Sequence, residues 1–125
     1  MVESARNILY VEDNLENRIL IKRILEAEGY NFLGASNASE GLRLARTHRP
    51  DLILVDINMP EVDGLTMTQE LKADERFAHV PVIAITANVM RGDRERTLNA
   101  GCDGYLQKPI DVDLLPRQIV HFLQQ

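Results

Sequence analysis

Three unbroken apolar runs constrain this chain most: Ile8–Val11, Leu52–Val55 and Val82–Ile85. Each ends on polar residues, respectively Glu12 and Asp13, Asp56, and Thr86. A short apolar run without alternation predicts a strand covered on both faces, as in the centre of a parallel sheet. Open sheets of such strands place their ligands at the strands' carboxyl ends. A carboxylate at that position is costly to desolvate unless a cation or hydrogen-bond donors meet it. For one aspartate alone, capping the following turn is the simpler reading of Asp56. The other strand ends argue for more.

Between the runs the pattern turns helical. Asn14 suits a helix N-cap, and Leu15, Ile19, Ile21, Ile24 and Leu25 follow at helical spacing. Arg18, Lys22 and Arg23 mark the wet face of that helix, and Gly29 stops it. Tyr30 to Ala35 predicts a less apolar strand, at an edge. Asn37 or Ser39 opens a second helix with Leu42, Leu44 and Ala45 toward the core. A third runs from Leu65 to Ala73, with Leu65, Thr68 and Leu71 inward. A fourth, Val89 to Ala100, has a thin apolar stripe and is expected to be weakly anchored. After Gly101, Tyr105 to Gln107 is a last strand, Lys108-Pro109 a turn, and Val112 to Leu123 a closing helix. Pro116 either kinks the first turns of that helix or moves its regular start toward Asp113.

Five strand–helix units predict an α/β fold, a doubly wound five-stranded parallel sheet with helices on both faces. Right-handed crossovers give the strand order 2-1-3-4-5. The 125 residues are expected to form a single domain. A net charge of −5 argues against nucleic acid, whose phosphates need a basic face. No apolar run has the length of a membrane span, and residues 1–4 lack a signal-peptide pattern. The lone Cys102 has no internal disulfide partner, which fits a cytoplasmic location.

In the predicted order the first and third strands are neighbours at the topological switch point. Glu12, Asp13 and Asp56 therefore share one crevice, where some stay protonated or a cation sits among them. Oxygen ligands without Cys or His favour a hard ion, Mg²⁺ or Mn²⁺. Thr86 closes the fourth strand, and Lys108 follows the fifth. A hydroxyl and an ammonium facing acids and a metal are the parts needed to handle a phosphoryl group. Asp56 is then the candidate nucleophile, since carboxylates form aspartyl phosphates.

Val11-Glu12-Asp13-Asn14, Asp56 with Met59-Pro60 and Asp63-Gly64, Thr86-Ala87 and Lys108-Pro109 fall on these strand ends in order. This set strongly resembles the bacterial response-regulator receiver domain of two-component signalling, a flavodoxin-like fold. Within it, the look is closest to single-domain cell-division-type regulators and to hybrid-kinase receivers. The resemblance implies that Asp56 accepts a phosphoryl group from a phosphohistidine on a histidine kinase or histidine phosphotransfer protein. It also implies that Asp13 and Asp56 bind Mg²⁺ directly, Glu12 mainly through water, and Asn58 by its backbone carbonyl. Thr86 and Tyr105 match the switch pair, Lys108 contacts the phosphoryl group, and the Lys108–Pro109 bond is expected to be cis. The stretch after Lys108 suffices for one helix and no output domain, so the expected readout is a changed affinity for a downstream protein. Two other classes are disfavoured. A flavin-binding fold needs a phosphate loop where Glu12-Asp13-Asn14 offers carboxylates. A phosphatase with an aspartyl nucleophile needs an acid–base carboxylate where Asn58 stands, so storage rather than enzymatic turnover is expected.

Overall fold

The computed structural model describes residues 5–57, 64–86 and 101–124. The expectations for the helix from Val89 to Ala100, for Ala87, for Asn58 and its neighbours through Asp63, and for the Leu65 side chain lie outside the described residues. The sheet contains β1 (Asn7–Val11), β2 (Asn31–Ala35), β3 (Leu52–Asp56), β4 (Val82–Thr86) and β5 (Gly104–Gln107). All pairings are parallel, in the order β2-β1-β3-β4-β5, as right-handed crossovers between the strand–helix units predicted.

Strand alternation divides the core in two. Leu9, Val11, Ile53, Val55, Val82 and Ala84 face α2 (Ala38–His48) and α3 (Gly64–Lys72). Ile8, Tyr10, Leu52, Leu54, Ile83 and Ile85 face α1 (Leu15–Ala27) and α4 (Leu115–Leu123). Every residue of β3 and β4 is buried, while β2 is buried only at Ala35, the signature of an edge strand. Cys102 lies in the first core, its thiol 3.6 Å from the Thr68 hydroxyl. Burial pushes that thiol above its ordinary pKa.

Local chemistry decides the helix ends. Asn14 Oδ1 accepts from the Asn17 amide at 2.9 Å and caps α1 as expected. Gly29, at φ +90°, takes the left-handed turn that follows. Of the two candidates to open α2, Asn37 does so, accepting from the Glu40 amide at 2.8 Å. The closing helix differs from expectation. Its regular part begins at Leu115 with Pro116 in the first turn, where a missing N–H costs nothing, and Val112 stays outside and exposed.

In α1 the inward face is narrower than the spacing suggested. Ile21 and Leu25 are fully buried, but Leu15, Ile19 and Leu20 are exposed. Arg18, assigned to the wet face, is half-buried, and its guanidinium donates to the Glu12 backbone carbonyl.

Gly41 sets how closely α2 approaches β1. A Cβ there would lie 2.8 Å from Val11 Cγ2 and 2.9 Å from Met67 Cε. Overpacking a core costs about 1–3 kcal/mol. The helix propensity gained by replacing glycine with alanine is only about 1 kcal/mol. Because Val11 is stiff at χ1 and held in a central strand, the steric cost should win. Gly41→Ala is expected to lower the urea midpoint with an unchanged m-value. An equal or higher midpoint would show that Met67 repacks freely.

Candidate functional site

The site forms where β1, β3, β4 and β5 end. Val11 pairs with Val55 in the β1–β3 register, so Glu12 and Asp56 follow side by side at the carboxyl edge. The Glu12 amide donates to the Ala35 carbonyl at 2.9 Å, continuing the β1–β2 ladder to the first acid. Across the sheet, the Lys108 amide donates to the Thr86 carbonyl at 2.8 Å and continues the β4–β5 ladder in the same way. The Lys108–Pro109 bond is cis.

Two of the acids are buried, Glu12 and Asp56, while Asp13 is exposed at the rim. One ammonium serves both buried acids: Lys108 Nζ donates to Asp56 Oδ2 at 2.7 Å and to Glu12 Oε1 at 3.2 Å. Burial alone would lower the Lys108 pKa. The hydrogen bond to Asp56 and the charges of both acids outweigh it and hold the ammonium above its ordinary range.

Glu12 Oε1 gathers two further donors, Asn17 Nδ2 at 2.8 Å and the Tyr10 hydroxyl at 3.4 Å. Oε2 of the same carboxyl is buried and accepts from no donor among the described residues. Burial, the hydrogen bond to Asp56 and the Asp56 charge push the Glu12 carboxyl up to about 7, against the pull of Asn17 and Lys108. Burial, followed by the charges of Glu12 and Asp56, also raises the Tyr10 phenol.

One ligand oxygen each from Glu12, Asp13 and Asp56 lie within 4.8 Å of one another. At such separations two carboxylates repel by roughly 3 kcal/mol at an effective dielectric of 20. Among the described residues Lys108 supplies one ammonium to this group of three acids, and a buried carboxylate oxygen with no described donor is costly. The oxygen-only set, with net negative charge and an unused acceptor, therefore fits a hard divalent cation.

Thr86 is buried at the end of β4, and Tyr105 is half-buried on β5 opposite Ala84. Alternation puts both on the α2/α3 face of the sheet. Glu12, Asp13, Asp56, Thr86 and Lys108 thus lie at the carboxyl ends of their strands, while Tyr105 sits two residues before the end of β5. Sequence reasoning gave no site role to three of the groups that hold Glu12: Tyr10, Asn17 and Arg18. The legible trace was Asn17 itself, three residues after the cap, where a side chain folds back over the helix start.

The chain matches the family described as response regulator receiver domain over residues 8–120. It is 47% identical over 118 residues to the polar-differentiation response regulator DivK of Brucella anthropi, covering 94% of this chain and 96% of that protein. The Brucella melitensis protein of the same name is 46% identical over 119 residues, covering 95% and 97%. Among solved structures, the receiver domain of sensor histidine kinase PA1611 from Pseudomonas aeruginosa superposes with a TM-score of 0.88 at 37% identity, covering 98% and 100%. That structure has a magnesium ion coordinated in its active-site cleft. The chemotaxis protein CheY4 of Vibrio cholerae shares the fold with a TM-score of 0.91 at 23% identity, covering 95% and 99%. Matched by the family over residues 8–120 and by a relative at 47% identity over 94% of its length, the chain belongs to the response regulator receiver domain family.

Proposed function

We propose that this receiver stores a phosphoryl group on Asp56, taken from the phosphohistidine of a histidine kinase or histidine phosphotransfer protein, and thereby changes its affinity for a downstream protein. The observation that carries the reading is the buried Asp56 carboxylate, held 2.7 Å from Lys108 Nζ at the edge of an acid cluster. An Asp56 oxygen attacks phosphorus, the P–O bond forms, and the P–N bond breaks. The imidazole leaves with the electron pair and is protonated from solvent. Lys108 pairs with the Asp56 carboxylate and then offers its positive charge to the phosphoryl oxygens. Thr86, at the adjoining strand end, is the hydroxyl donor to that group.

Mg²⁺, or Mn²⁺ in its place, held by Glu12, Asp13, Asp56 and the backbone carbonyl of Asn58, supplies charge that offsets the phosphoryl oxygens. Support comes from the oxygen-only donor set and from the magnesium in the PA1611 receiver. Glu12, buried and already engaged through Oε1 by Lys108 and Asn17, suits contact through water. Asn58 stands where a hydrolytic enzyme of this chemistry would keep a carboxylate, so the group is stored and not turned over.

For output, the phosphoryl group draws Thr86 toward it, and Tyr105 turns into the space released on the same face of the sheet. The readout is protein–protein affinity at the surface around Tyr105 and α4, without nucleic acid. A cytoplasmic setting suits such a partner, and no described helix is long and apolar enough to cross a membrane.

Intact mass tests the assignment. Incubation with acetyl phosphate and Mg²⁺ should add one phosphoryl group, whereas EDTA treatment or Asp56→Asn should abolish the gain. Phosphorylated Asp56→Asn after brief labelling would overturn it.

Glu12 gives a pH signature. Its carboxyl binds its proton up to about 7 when folded, against an ordinary value of 4.5. Between these values the folded state holds more protons, so metal-free stability falls as pH rises through this window. Thermal melts without metal should show a steeper decline for wild type than for Glu12→Gln. Mg²⁺ displaces the same proton, so its affinity should rise with pH across the window. Parallel curves for the two proteins would remove Glu12 as the titrating group.

The switch is tested by amide exchange with beryllofluoride and Mg²⁺. Protection should change in β5 at Tyr105 as well as beside Asp56. Changes confined to the loops around Asp56 would count against Tyr105 as a relay.

A further inference from the structure

Helix α1 holds Glu12 from both ends. Arg18 donates to the Glu12 backbone carbonyl, and Asn17 Nδ2 donates to its side-chain Oε1 at 2.8 Å. Asn17 is itself fixed, because its backbone amide donates to the Asn14 cap at 2.9 Å. In a capping box the side chain three residues after the cap folds back to the cap's own N–H. Here the Asn17 amide goes to the buried acid of the preceding strand instead. Three donors converge on Oε1 and none among the described residues on Oε2. The strongest that does not belong to the ammonium is Asn17; the Tyr10 hydroxyl, at 3.4 Å, is a longer and weaker contact.

We infer that Asn17, assisted by Tyr10, is a positioning residue for divalent-cation binding: by occupying Oε1 it locks the Glu12 carboxyl so that Oε2 alone remains as acceptor toward the acid cluster. This rests on the proposed Mg²⁺ site and deepens it. The residue type follows from the task. A carboxylate at position 17 would repel Glu12, an apolar residue would leave Oε1 to Lys108 and Tyr10, and an amide donates without adding charge. Groups that orient a ligand carboxylate in this way typically alter metal affinity by about 10–100-fold when removed.

The experiment is a Mg²⁺ titration by calorimetry of wild type, Asn17→Ala, Asn17→Gln, Glu12→Gln and the double variant Asn17→Ala with Glu12→Gln. Metal-free melts and acetyl phosphate labelling at saturating Mg²⁺ accompany it. Asn17→Ala should weaken Mg²⁺ about 10-fold, keep a metal-free melt close to wild type, and recover labelling when Mg²⁺ saturates. Asn17→Gln should recover part of the affinity. In the Glu12→Gln background the Asn17→Ala change should cost nothing further, because the lever it acts on is gone. Wild-type affinity in Asn17→Ala, or losses that simply add in the double variant, overturn the inference while leaving the Mg²⁺ site standing. Absence of Mg²⁺ binding to wild type overturns both. Should Asn17→Ala fail to fold, the side-chain amide resonances of Asn17 in the wild-type protein decide. They should shift on Mg²⁺ addition in wild type and stay still in Glu12→Gln, and silence in wild type refutes the role.

Discussion

One ammonium shared between two buried carboxylates organises the carboxyl edge of this sheet. Lys108 stands 52 residues from Asp56 and 96 from Glu12 in sequence, and only the closed fold brings them together. β5 lies two strands from β3, roughly 10 Å away at the usual spacing of parallel strands. A long side chain is therefore required, and lysine has one. Removing its charge would leave the buried Asp56 and Glu12 without their described counter-charge, and breaking a buried ion pair from one side is strongly destabilising. The pair is thus at once a structural tie across three strands and the source of the site's reactivity.

Helix α1 takes two loads. Ile21 and Leu25 bury against β1 and β3 and anchor it, while its first turn reaches forward to hold Glu12. The cap at Asn14 links these roles, since it fixes the backbone of the residue whose side chain meets the acid. Local helix chemistry and site geometry are therefore one set of hydrogen bonds.

The strands were legible because burial on both faces forbids alternation, and because each apolar run had to stop at a polar group. That alone placed Glu12, Asp56 and Thr86 on one edge. The inward face of α1 was less legible. Leu15 and Ile19 form one i, i+4 row and Ile21 and Leu25 another, and spacing does not say which row meets the sheet. Arg18 looked like a surface charge, since nothing local reveals a backbone carbonyl waiting for it. Asp103 was passed over for the same reason: its carboxylate accepts from the Val82 amide and pairs with Lys72, each at 2.8 Å, contacts between segments far apart in the chain. The start of the closing helix depended on which of two permitted roles Pro116 took, and its place in the first turn settled that.

The buried thiol of Cys102 carries a practical consequence. Thiolate, not thiol, reacts with alkylating and oxidising agents, and here burial disfavours the ionised form while the core denies access. As the chain's single cysteine, it will be modified only in molecules whose α2/α3 core has opened. The rate of its labelling is therefore an intrinsic clock for breathing of that side of the sheet, readable by mass without any added probe.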